Sequence, residues 1–134
     1  MASIFTKIIQ GEIPSYKVAE SDKFYAFLDI SPLQNGHTLV VPKTEVDYIF
    51  DLEDSLLAEM MVFSKQVAKA IEKVIPCNRV GVAVIGLEVP HAHIHLVPIS
   101  GMGDINFANP KLKLTPDEFA EIAKQIHQAF TDSL

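Results

Sequence analysis

The chain has 134 residues and carries 11 Lys+Arg against 17 Asp+Glu, a net charge of −6. A length below ~150 residues points to one domain spanning 1–134, and 49% hydrophobic with 21% charged residues is the composition of a packed core. Without a Lys/Arg-rich run it lacks the basic face that duplex nucleic acid requires, and no apolar stretch approaches the ~18 residues of a membrane span.

In chain order, Ile4–Ile9 reads as a short helix or turn. The start, Met1–Lys7, shows neither the apolar region nor the cleavage site expected of a secretory leader. Phe24–Leu28 is an aromatic-rich strand that stops at Asp29-Ile30-Ser31-Pro32. The turn signal Gln34-Asn35-Gly36 introduces a β-branched strand, His37–Val41, ended by Pro42. Leu56, Met60, Phe63, Val67, Ile71 and Val74 recur at spacings of three and four, which predicts a long helix. Asp51 or Asp54 caps its start in this reading, and Pro76 stops it. Val80–Ile85 and His91–Ile99 read as two further strands. Thr115-Pro116-Asp117-Glu118 is a capping box that opens a last helix over 116–130. The order predicts an α+β domain with an antiparallel sheet. A single cysteine, Cys77, makes no internal disulfide, and the whole reads as a cytoplasmic protein.

Three of the five histidines alternate in Pro90-His91-Ala92-His93-Ile94-His95-Leu96-Val97. On a strand the imidazoles share one face, ~7 Å apart, while Ala92, Ile94 and Leu96 enter the core. A strand gains nothing from three titratable rings, so the pattern points to chemistry. Two readings stand side by side. A His-x-His pair ligates zinc if His37, Glu45 or Glu88 supplies a third ligand. Alternatively, one imidazole attacks a substrate while its neighbours orient it and bind charge. His127, alone on the last helix, reads as an ordinary satisfied histidine.

His91–Val97 matches His-φ-His-φ-His-φ-φ and so resembles the signature of the histidine triad (HIT) family of nucleotide hydrolases and transferases. Ile4–Ile9 with Gly11–Ser15, Phe27–Pro32 and Gly36–Lys43 are similar to further family segments, in family order. The resemblance implies a HIT-like fold, with an antiparallel sheet of about five strands, a long middle helix and a C-terminal helix. It implies a hydrolase acting at the α-phosphate of a nucleotide phosphoramidate, ester or dinucleoside polyphosphate. His93 would be the nucleophile, forming a nucleotidyl-histidine, with the His91 backbone fixing its tautomer. His95 would touch phosphate, and His37 would orient the triad. Asp29 would hold the ribose hydroxyls. Ile4, Phe5, Ile8, Phe27, Ile30 and Leu39 would line the base pocket of a purine nucleotide. A homodimer is expected, with no cofactor required. The other reading is a nucleotide-binding or scaffolding protein with weak or no turnover.

Two departures from the family pattern stand out. Leu87 and Glu88 occupy places where many members carry Gln and a phosphate-binding hydroxyl residue, and a carboxylate there repels an anionic ligand unless it is paired. Ser3, Thr6 and Glu45 stand where some members hold a structural zinc with two cysteines and a histidine, so no structural zinc is expected.

Overall fold

The computed structural model describes residues 2–134; Met1 lies outside the described residues. Among the described residues, eight α-helices and β-strands follow one another, α1 (Ile4–Ile9), β1 (Lys17–Glu20), β2 (Phe24–Leu28), β3 (Thr38–Pro42), α2 (Asp54–Val74), β4 (Arg79–Ala83), β5 (Ile94–Ile99) and α3 (Pro116–Asp132), with short 3-10 turns at Ile49–Asp51 and Met102–Ile105. The strands form one antiparallel sheet in the order β1-β2-β3-β5-β4. β5 enters between β3 and β4, and α2 carries the chain across the sheet from one to the other.

β2 and β3 are buried along their whole length because both faces of the sheet are covered. Phe24, Ala26, Leu28 and Val40 pack towards α2 and α3, where Met60, Phe63, Val67, Ile71, Ile126 and Phe130 complete the main core. The alternate residues Tyr25, Phe27, Leu39 and Val41 form a second cluster with Phe5 and Ile8 of α1. This is the period-2 alternation of a strand with apolar side chains on both faces. Register then aligns Phe27 with Leu39, Leu39 with His95, and His95 with Ala83, one row across the sheet.

Local signals account for most element ends. Thr115 Oγ1 accepts from the Glu118 N–H at 3.1 Å and Glu118 Oε1 accepts from the Thr115 N–H at 2.8 Å, closing the expected capping box. At α2 the expectation fails: the N-cap is Glu53, without a side-chain cap bond, and Asp54 is already helical. The strand before the triad ends at Ala83, short of Ile85, and β5 begins at Ile94 and not at His91. His127 Nδ1 lies 2.8 Å from the Val18 carbonyl, tying α3 to β1.

Candidate active site

His37 enters the site through a turn that only glycine tolerates well. Gly36 has φ +85°, and a Cβ on it would lie 2.8 Å from Ile75 Cγ1. The turn sets His37 directly before β3, buried, with the Leu33 N–H donating to its Nδ1 at 3.0 Å. A backbone N–H has no alternative role, so Nδ1 is an acceptor and the His37 proton sits on Nε2. Nε2–H therefore donates to His95 Nδ1 at 3.0 Å. His95 Nδ1 being an acceptor, its own proton is on Nε2, the nitrogen left to face the cavity. One backbone amide thus sets the proton positions of two imidazoles.

The triad is not three equivalent rings on one strand face. Because β5 starts only at Ile94, the backbone at His91 departs from strand geometry and its ring turns inward, fully buried. His91 Nε2–H donates to the Pro42 carbonyl at 2.8 Å, and the Ser3 hydroxyl donates to Nδ1 at 2.7 Å. Both ring nitrogens are spent, and His91 does not line the cavity. Its backbone carbonyl accepts from His93 Nδ1–H at 2.8 Å, which leaves the lone pair of His93 Nε2 available. The His93 and His95 centroids are 5.0 Å apart, closer than extended strand spacing, since His93 also precedes the regular strand.

A hydrogen-bonded cluster fastens α1 to this arrangement. Ser3 Oγ accepts from the Thr6 N–H at 3.0 Å, while the Ser3 N–H and Thr6 hydroxyl both donate to Glu45 Oε1 at 2.6 Å. These donations, the Ser3 N–H first, hold the Glu45 carboxyl below its ordinary range. Ser3→Ala removes both the cap of α1 and the donor to buried His91. It is expected to cost about 1–2 kcal/mol in chemical denaturation, and Ser3→Thr to recover most of it. These residues do not fit a zinc ion: neutral hydroxyls are poor zinc donors, and both His91 nitrogens are committed. The same commitment leaves no His91–His93 chelate. Among the described residues, the side chains close enough to share an ion are Asp29, His37 and His95. There, too, coordination through His37 Nε2 would move its proton to Nδ1, against the Leu33 N–H.

The rings open into a cavity of about 490 Å³. Phe5, Ile8, Phe27 and Leu39 form its buried apolar wall, with Ile4 and Ile30 exposed at the rim. Asp29 lines it as well, its Oδ1 accepting from the Ser31 N–H at 2.8 Å and its Oδ2 lying 3.6 Å from His37 Nε2. Asp29 is thus both a turn residue and a cavity residue. Glu88 lies on the loop between β4 and β5 and also lines the cavity. The cavity therefore gathers the whole expected catalytic and nucleotide-binding set except His91, which acts from behind, while Ser3, Thr6 and Glu45 lie outside it.

Burial controls the charges. It pushes His37 down to about 3, helped by the fields of His95 and Lys111, and His95 down to about 4, helped by His93. Burial likewise lowers His91 and raises the Asp29 carboxyl. At neutral pH His37, His91 and His95 are neutral, so the tautomers set by hydrogen bonds are the working ones.

Two cavity residues come from a segment with no periodic signal. A 3-10 turn at Met102–Ile105 leads to Phe107, whose ring stands edge-on to His95 with centroids 4.8 Å apart. Lys111 follows, with Nζ donating to the Phe107 carbonyl at 2.6 Å and the Asn109 carbonyl at 3.0 Å. The Leu112 N–H to Pro32 carbonyl bond, 2.9 Å, pins this segment over the site. Nothing short of that long-range bond marks either residue in the sequence.

A five-stranded antiparallel sheet with a histidine triad at its centre and an apolar cavity before it defines a small α+β domain built around buried histidines. The profile of the HIT domain matches residues 10–102, and the chain belongs to the HIT family. It is 35% identical over 131 residues to a HIT-like protein of Borreliella burgdorferi, covering 92% of this chain and 94% of that one. An adenosine 5′-monophosphoramidase of Schizosaccharomyces pombe is 33% identical over 132 residues, covering 94% of this chain and 96% of that one. A Hit-like protein of Bartonella henselae superposes with a TM-score of 0.82 at 30% identity, covering 95% of each chain.

Proposed function

We propose that the protein is a nucleotide phosphoramidate hydrolase working through a covalent nucleotidyl-His93. The observation that carries this reading is the proton inventory of the four histidines. His93 Nε2 is the one imidazole lone pair left facing the cavity, and His95 Nε2–H is the donor beside it. The kinship to adenosine 5′-monophosphoramidases supports the substrate class.

In this mechanism the base lies against Phe5, Ile8, Phe27 and Leu39, and Asp29 accepts from the ribose hydroxyls. His95 Nε2–H donates to an α-phosphate oxygen. The phosphoramidate enters protonated on nitrogen. His93 Nε2 forms a bond to the α-phosphorus, and the P–N bond breaks with its electron pair leaving on the neutral amine. The His93 Nδ1–H bond to the His91 carbonyl stabilises the positive charge on the phosphorylated imidazole. Water then attacks phosphorus, the P–Nε2 pair returns to His93, and the amine takes the proton that water releases. Nucleotide and protonated amine depart. No step draws on a metal or cofactor.

Partner and location belong to the same proposal. β4 pairs on one side only, and Val82 and Val84 beside it are exposed, as are Met61 and Val62 on α2, which suits a homodimer. No helix among the described residues is long and apolar enough to cross a membrane, and we place the protein in the cytoplasm. Glu88 at the rim favours one other reading, a nucleotide-binding protein that does not turn over. Rapid quenching with adenosine 5′-phosphoramidate separates the two. The expected result is a nucleotidyl adduct mapped by mass spectrometry to His93; bound nucleotide without an adduct would favour the binding protein.

A further inference from the structure

The cavity carries an unbalanced charge on one wall. Glu88 lies on the loop Ile85–Pro90, where Leu87 is 88% exposed and Ile85 48% exposed. None of the ion pairs among the described residues includes Glu88. Lys111, the one lysine or arginine lining the cavity among the described residues, does not answer it, because its ammonium is folded back onto two carbonyls of its own loop. Asp29 adds a second carboxyl to the same cavity, raised by burial first, with the Ser31 N–H, His93 and Lys111 acting against that and the field of Glu88 acting with it. A ligand extending from the α-phosphate towards this wall meets two apolar side chains and an unpaired carboxylate. Further phosphates would be repelled there, whereas methylenes ending in a positive charge would be complemented.

We propose that Ile85, Leu87 and Glu88 form a leaving-group subsite that selects phosphoramidates whose amine is an aliphatic chain ending in an ammonium. This rests on the reading of the cavity as a nucleotide site. Leu87 and Ile85 cover the chain and Glu88 pairs with the terminal ammonium. That second charge takes no part in the bond changes at phosphorus, so the effect is on selection.

The test uses the full chain and three adenosine 5′-phosphoramidates of equal length, their amines ending in ammonium, methyl or carboxylate. Dissociation constants come from competition with a fluorescent adenosine nucleotide in the His93→Ala background, and kcat/KM comes from the unmodified protein. Both are repeated with Glu88→Gln, conservative at an exposed position, and with Glu88→Lys. The expected order is ammonium, methyl, carboxylate, with about tenfold or more between the extremes and a smaller spread at high salt. Glu88→Gln is expected to bring the three within about twofold, and Glu88→Lys to invert the order. An order unchanged by either substitution, or equal binding throughout, would overturn the subsite. Charge-ordered binding without hydrolysis of any compound would sustain the subsite and overturn the covalent mechanism. Hydrolysis of all three at equal efficiency would do the reverse, and failure of every nucleotide to bind would overturn both.

Discussion

His93→Ala is expected to lower kcat/KM on adenosine 5′-phosphoramidate by at least about 10⁴-fold, the scale of losing a covalent nucleophile. That corresponds to about 5 kcal/mol of transition-state stabilisation. The expectation is large because no neighbour can take over. His91 has both nitrogens committed, His37 is committed to Leu33 and His95, and His95 presents a proton to the cavity, not a lone pair. Nucleotide affinity is expected to hold within about threefold, since the base wall is Phe5, Ile8, Phe27 and Leu39. A variant that keeps a tenth of the activity would remove His93 from the chemistry. His95→Gln, which keeps an N–H donor, is expected to lose far less.

Stability is expected to fall as pH drops from 7 to 5. His37 and His95 titrate near 6.5 in the unfolded chain, but burial first, and neighbouring charge second, bring them to about 3 and about 4 in the folded protein. Above 6.5 both states are neutral and the shift costs nothing. Below 6.5 the unfolded chain binds protons that the folded one refuses, so stability declines until the folded values are reached. At 1.36 kcal/mol per pH unit, each ring costs roughly 2 kcal/mol by pH 5, a large share of a total of roughly 5–15 kcal/mol. His91, also lowered by burial, adds in the same direction. Asp29, raised by burial, works in the opposite direction from its unfolded value of 3.8 upwards and offsets part of the histidine effect there. Urea unfolding at pH 7.5, 6.5, 5.5 and 5.0 reads the slope directly. His95→Gln is expected to flatten it, and a stability that is level or rising towards pH 5 would contradict the buried neutral pair.

Much of the fold was legible because its signals are local. The stripe Met60, Phe63, Val67 and Ile71, the capping box at Thr115–Glu118 and the strand runs Phe24–Leu28 and His37–Val41, the latter observed one residue later at Thr38–Pro42, need only helix or strand periodicity and side chains within one turn. The spacing of His91, His93 and His95 likewise announces chemistry before any fold is drawn. The same periodicity misplaced His91, because alternation assumes a strand that begins only at Ile94. What the ring does is decided by Pro42, 49 residues away, and by Ser3, 88 residues away.

What the sequence by itself determined is the three helices, four of the five strands, the triad and its family; β1 was not read from it. The tertiary structure alone decided how the protons are shared: the His37–His95 bond joins residues 58 apart, and the His91 carbonyl is set against His93 by a backbone that leaves strand geometry. It also decided that Phe107 and Lys111 reach the cavity and that Glu45 clasps α1. The division has a physical basis. Periodicity and capping act over one or two turns of chain, whereas a hydrogen bond between distant residues exists only after the sheet and core have brought them together, and no local pattern encodes that distance.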